Sequence, residues 1–229
     1  MNKKLLCLLM FVFSLGLTFT ACSSDDDDPV NLTLEKSETS VDQGATVTVK
    51  ITQGNGDYKV SSASETTATA SVSGDVITVS GVAAGETTIT VTDKDKKTTT
   101  LKVTVVGLAD QVAGTYSGTL SVLGQDSESE ITLEKISSDK VKVSLKNFSF
   151  SEMELGDIIV SDIPLTLSNG KVILEETSTS LTLTMMGNPI EVDVAVSGTV
   201  EEVSMNLAIA VTKVPLLGSI DVTFSGDKK

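Results

Sequence analysis

Carboxylates are the residues of this chain best placed to do chemistry. They cluster at Asp25–Asp28, Asp93-x-Asp95, Glu152-x-Glu154, Glu175-Glu176, Glu191-x-Asp193 and Glu201-Glu202. Two acids about 5–10 Å apart can share glycoside hydrolysis as acid and as nucleophile or base. Glu191 and Asp193 would share one face of a strand, while Val192, Val194 and Val196 take the other. A sheet buries its valine face, so both acids belong outside, in water. The Glu152, Glu175 and Glu201 pairs read as loop or strand-end charge. Asp93-x-Asp95 opens like a calcium loop, but such a loop needs Gly at its sixth position and Glu at its twelfth. Thr98 and Thr104 stand there, which leaves a charged hairpin tip.

Missing residue types narrow the chemistry further. The chain has no histidine and no arginine. That excludes Ser-His-Asp and Cys-His catalysis, His-ligated zinc or copper, and bidentate phosphate clamps. No Gly-rich phosphate loop follows a strand, and no spacing singles out a Ser-Lys pair. The expectation is no enzyme, no catalytic residue, no metal and no cofactor. After Cys22 the aromatics are Tyr58, Tyr116, Phe148, Phe150 and Phe224. Three of the last four alternate with Ser or Thr as buried strand residues do, so a sugar-stacking platform is poorly supported; Tyr58 is the exception, free to be exposed.

The charge balance is 17 basic against 31 acidic residues. Nucleic-acid binding rests on phosphate neutralisation by Lys and Arg, so no nucleic-acid partner is expected. The first 21 residues differ from the rest. Lys3 and Lys4 precede an apolar run, Leu5–Leu17, broken only by Ser14 and Gly16, and Ala21 stands before Cys22. That is a secretory signal peptide over residues 1–21, shorter in its apolar run than the ~20 residues a membrane-spanning helix needs. Cys7 leaves with it, so Cys22 is the single remaining cysteine and no intrachain disulfide is expected.

Phe19-Thr20-Ala21-Cys22 resembles the lipobox of bacterial lipoproteins, with Phe where Leu is usual. The resemblance implies that Cys22 is a lipid anchor carrying a diacylglyceryl group. Stable anchoring takes two or more chains, each buried methylene contributing roughly 0.8 kcal/mol. Residues 22–29 would then be an acylated cysteine and an acidic tether. Directly after the lipobox, Asp25–Asp28 resembles the acidic export signal of Bacteroidetes surface lipoproteins. It implies an outer-membrane, cell-surface location rather than a metal site, because nothing nearby would hold four repelling carboxylates in place.

The elements that must position any site are strands. Beyond residue 30 there is no convincing helical period; short alternating runs of Val, Ile, Thr and Ser recur between Gly, Asp and Asn. In residues 30–106 the runs Ala45–Ile51, Ala68–Val72, Val76–Val79, Thr87–Val91 and Thr100–Val105 are expected strands. This block is similar to the group-two bacterial Ig-like domains through Ser61-Ser62, Ala68–Val72 and Gly81–Val91, without the tryptophan many of them carry. The resemblance implies a spacer or adhesion module. Residues 106–111 form a connection too short for wide swing.

From Gly114 onward nine alternating runs follow, with a phase slip at Lys146-Asn147 that predicts a β-bulge. Eight or nine antiparallel strands suit a closed up-and-down barrel. Residues 111–228 resemble the calycin-like β-barrel domains of Bacteroidetes lipoproteins. Val112–Leu120, Phe148–Phe150, Leu155–Ile158 and Ile220–Phe224 carry the likeness. The opening Gly114-x-Tyr116 and the lack of arginine depart from lipocalins proper.

The chain is thus expected to be all-β, an Ig-like sandwich followed by a calycin-like barrel. Two readings of the barrel interior stand side by side. In one, Tyr116, Leu120, Phe148, Phe150, Met185 and Met205, with Met186 and the small residues Gly118, Ala195, Ala208 and Ala210, line a cavity for a small apolar or amphipathic ligand. In the other, the barrel is solid and the protein is a structural or adhesion accessory whose surface meets a protein or glycan. In both, the membrane partner is reached through the acyl chains of Cys22.

Overall fold

The computed structural model describes residues 30–150, 153–185 and 187–229. The expected leader, Cys22, Asp25–Asp28, Glu152 and Met186 lie outside the described residues, as does the side chain of Phe150.

The first unit is a sandwich of β1 (Thr33–Leu34), β2 (Glu38–Asp42), β3 (Thr46–Gln53), β4 (Lys59–Ser62), β5 (Ala68–Ser73), β6 (Val76–Gly81), β7 (Gly85–Thr92) and β8 (Thr98–Val106). The sheets run β1-β3-β6-β5 and β2-β8-β7-β4, antiparallel except for the β2–β8 pair. Alternation decides which side chains meet between them. Val49, Ile51, Ile77 and Val79 from one sheet pack against Ile89, Val91, Leu101 and Val103 from the other. The five expected strands are all present; β1, β2 and β4 are two to five residues long and carried too little pattern to be read.

The connection after β8 corrects the expectation of no helix. Leu108–Val112 forms one short helix, α1, too brief for a helical period to show. Its Leu108, Ala109 and Val112 join the core of the second unit, and the Ala109 N–H donates to Ser138 O at 3.0 Å. Gly107 makes this approach feasible, since a Cβ there would lie 2.6 Å from Ser138 O. Across the junction the Gln111 side-chain amide donates to Gln43 O (3.4 Å) and Val106 O (3.3 Å).

The second unit is a closed barrel of eight antiparallel strands: β9 (Gly114–Val122), β10 (Gln125–Ser137), β11 (Lys140–Phe150), β12 (Met153–Ser168), β13 (Lys171–Met185), β14 (Asn188–Glu201), β15 (Ser204–Val214) and β16 (Gly218–Lys228). Each strand pairs with the next, and β16 closes on β9. The expected strands Val172–Glu176 and Leu181–Met185 are one strand, β13, whose pairing slips between Leu174 and Thr177 and so breaks the alternation. The bulge expected at Lys146-Asn147 is present: the β11–β12 register shifts between Leu145 and Phe148, and Asn147 has φ 52°.

Where inward positions of the wall are glycine, neighbouring backbones come close. A Cβ on Gly118 would lie 2.2 Å from Ser225 O, one on Gly198 2.4 Å from Asn206 O, and one on Gly226 2.6 Å from Ser117 O. Gly118 and Gly226 face each other across the β9–β16 seam. A missing side chain lets neighbouring backbones close in.

Candidate functional site

The structure gathers most of the sequence-selected residues into one place. Tyr116, Leu120, Phe148 and Met205 project into the barrel and belong to a single buried cluster with Phe224 and the valines of β14. Tyr116 and Met205 are fully buried. The Tyr116 hydroxyl donates to Val112 O at 2.8 Å, tying β9 to the end of α1, and burial pushes its pKa up to about 12. Met185 is half-buried beside Leu181 and Ile190 toward the far end of the barrel. Phe150 ends β11. The cluster is continuous from α1 to this far end.

Three small residues expected inside lie outside. Ala195, Ala208 and Ala210 alternate with buried Val194, Val196, Leu207, Ile209 and Val211, and the bulkier set takes the core.

Glu191 and Asp193 are each engaged by a separate partner rather than paired over a shared site. Thr182 Oγ1 donates to Glu191 at 2.6 Å and Ser180 Oγ to Asp193 at 2.7 Å, each across the β13–β14 ladder. Lys213 lies 2.6 Å from Asp193 and, with Ser180, holds its pKa below the ordinary value. Lys146 and the Asn147 N–H do the same for Asp157. A glycosidase acid needs a raised pKa, and these shifts run the other way.

Asp93 is buried at the β7–β8 turn. It accepts from the Asn55 side chain (2.8 Å) and from the N–H groups of Asn55, Asp95 and Lys97. Burial alone would raise its pKa, but these bonds outweigh it and the pKa is lowered. Its oxygens close a turn, as the failed calcium-loop spacing implied. Among the described residues no group of three His, Cys, Asp or Glu is placed to hold a metal ion.

A site that sequence reasoning missed lies on the outer wall. Strands β14, β15, β16 and β9 form a shallow groove of about 600 Å³ there, with Gly198 in its lining. Thr119, Ser121, Ser197, Thr199, Thr223 and Ser225 line it with hydroxyls, Asn206 adds an amide and Ala208 a methyl. Asp126 of β10 stands at its edge as the sole charge. Among the described residues none of these hydroxyls has a side-chain hydrogen-bond partner, unlike Ser180, Thr182, Thr166 and Ser204, which donate to carboxylates elsewhere on the wall. The signal in the sequence was an inward glycine flanked by outward Ser and Thr, as in Ser197-Gly198-Thr199.

Comparison with known families matches residues 112–227 to the calycin-like beta-barrel domain and residues 29–105 to the bacterial Ig-like domain (group 2). No curated protein matches the chain. Among solved structures, a proposed outer membrane protein from Bacteroides fragilis is similar at 18% identity. The likeness covers 80% of this chain and 74% of that one, with a TM-score of 0.41. By its second unit, the chain belongs to the calycin-like β-barrel domain family, with a group-2 bacterial Ig-like domain ahead of the barrel.

Proposed function

We propose that this is a non-enzymatic, lipid-anchored protein of the outer membrane that displays its barrel at the cell surface and binds through the barrel's outer wall. The sandwich serves as spacer and Cys22 as anchor. The observation that carries the reading is the groove on the outer wall, since an internal ligand would have to share one continuous buried cluster with Tyr116, Phe148 and Met205. The outer groove, by contrast, offers unengaged hydroxyls, threonine methyls and almost no charge. Hydroxyls that both donate and accept, set beside small apolar patches, suit a neutral polyhydroxylated partner such as a glycan chain.

Calorimetry against neutral oligosaccharides of mannan, xylan, dextran and chitin tests this. Binding that weakens at least about tenfold in Ala208→Lys, equivalent to roughly 1.4 kcal/mol, is expected. No binding across the set, or binding indifferent to Ala208→Lys, would sink the groove as the site.

One observation favours a second reading, an apolar ligand held inside the barrel. The ladder between β12 and β13 spans only Leu165–Ser168 against Lys171–Leu174. Beyond it β13 pairs with β14 alone, and half-buried Leu181, Met185 and Ile190 lie along that stretch. Native mass spectrometry of detergent-free protein, offered fatty acids, sterols and bile acids, separates the two. An unliganded mass is expected, and a retained lipid would favour the second reading.

A further inference from the structure

Four lysines collect at one end of the sandwich, against the acidity of the chain. They are Lys59 at the start of β4 and Lys94, Lys96 and Lys97 in the β7–β8 turn, all exposed. This is the end of β8 opposite the one that leads into the barrel. Seven other lysines are ion-paired, whereas these four have no carboxylate partner among the described residues. The exposed acids of the same two segments are Asp57 and Asp95, two against four.

The segments that carry the lysines are held together. Lys59 lies opposite Thr92 in the β4–β7 ladder, and the Lys94 N–H donates to Gly56 O at 3.0 Å. Buried Asp93 accepts from Asn55 Nδ2 at 2.8 Å and from the N–H groups of Asp95 (3.0 Å) and Lys97 (2.9 Å), so its charge is engaged by amides and not by an ammonium. Between the segments lies a groove of about 640 Å³, lined by Tyr58, Lys59, Thr92, Lys94 and Lys96, with Asp57 and the inward Asp93. Tyr58 is half-buried, set so close to the backbone that a Cβ on Gly54 would lie 2.8 Å from its Cε1 and its Oη. Its hydroxyl has no partner among the described residues.

We propose that this groove binds an acidic glycan, a chain of uronate sugars, which gives the sandwich a role beyond spacing. The ammoniums meet the carboxylates, the Thr92 and Tyr58 hydroxyls meet sugar hydroxyls, and the Tyr58 ring offers an apolar surface to a pyranose. Because the turn is already closed by Asp93, little ordering is needed on binding. An acidic peptide fits less well, since no aliphatic side chain lines the groove to seat its apolar groups. Charge argues against an anionic membrane. A bilayer meets the field of a chain with 17 basic and 31 acidic residues, which repels it. Screening over about 8 Å confines what an occupant of the groove feels to the lysines around it. The inference rests neither on acylation nor on the outer-wall reading, whose groove lies in the other unit.

Short oligogalacturonate, titrated into the unacylated chain from Cys22 onward and followed by NMR, tests this. It is expected to shift the amides of residues 57–59 and 92–97 and to leave those of the barrel in place. Affinity is expected to fall at least about tenfold when Lys59, Lys94 and Lys96 are all changed to Gln, exposed substitutions that leave the core intact. The same fall is expected for the fully methyl-esterified oligomer, which keeps the sugar and loses the charge. It is also expected for Tyr58→Leu, which keeps an apolar group over Gly54 but removes the ring. Unmoved amides would overturn the proposal. So would polyglutamate binding as tightly as oligogalacturonate, or Tyr58→Leu binding like the parent, since either would reduce the tip to bare attraction of anions. Lysine-dependent sedimentation with phosphatidylglycerol-containing vesicles would also overturn it, by assigning the tip to lipid headgroups.

Discussion

Gly118→Ala tests how the barrel closes. A Cβ at this position would lie 2.2 Å from Ser225 O, 2.3 Å from Gly226 Cα and 2.8 Å from Ser225 C, all backbone atoms of β16. No side chain can rotate away, so β9 and β16 must part by about 1 Å to restore contact distances. Overpacking of this kind costs about 1–3 kcal/mol, and each ladder bond stretched beside it about 1 kcal/mol. The alanine's smaller unfolded-state entropy returns about 0.4–1 kcal/mol. A net loss of about 2–3 kcal/mol from the barrel is expected, which is a large share of a domain's stability. Urea titration followed on barrel amides by NMR would read it as a lower midpoint at unchanged slope. Gly74→Ala is the control: its φ of +58° is strained for alanine, but nothing lies within 4 Å, so about 1 kcal/mol is expected and only in the sandwich. A Gly118→Ala barrel within about 0.5 kcal/mol of the parent would refute the close approach.

Tyr116 predicts an alkaline loss of barrel stability. Its pKa is raised from the ordinary 10 to about 12, so its contribution is complete below pH 10. It then declines at roughly 1.4 kcal/mol per pH unit as pH rises toward the folded value. Tyr116→Phe should flatten that slope in urea titrations taken across the alkaline range, at the expense of its bond to Val112 O. A slope unchanged in the variant would assign the alkaline transition to another group. Asp93 predicts the opposite limb in the sandwich. Its folded pKa is lowered, so its stabilisation is present above the unfolded carboxylate value near 4 and is lost as pH falls through the folded one. Asp93→Asn should lessen the acid dependence of the sandwich's urea midpoint, and an identical acid profile would count against the turn closure described.

Legibility in the sequence followed pattern length and face. Strands such as β3, with Val47, Val49 and Ile51 on one side, declared themselves because one face had to be buried. Tyr116, Leu120 and Met205 were placed in the interior for the same reason. Where alternation broke, the reading broke too: the slip between Leu174 and Thr177 split β13 in two, although the analogous slip at Asn147 was recognised because Phe148 restarted the phase at once. α1 escaped notice because five residues cannot display a period, and its burial depends on Ser138, a partner distant in sequence. Whether a barrel is hollow depends on the summed volume of side chains from eight strands, which no single strand reveals. The outer groove likewise gathers residues of four strands that are brought together only by the β14–β15–β16–β9 register.

The β9–β16 seam also bears on how the molecule is made. The first strand of the barrel finds its second partner only in the last, with Tyr116 opposite Lys228. Such distant pairing slows folding, because loop-closure entropy must be overcome before the contact rewards it. The barrel therefore cannot close before β16 is available to pair with β9. Truncation within β16 would leave β9 and β15 as naked edges, ready to recruit strands from other chains.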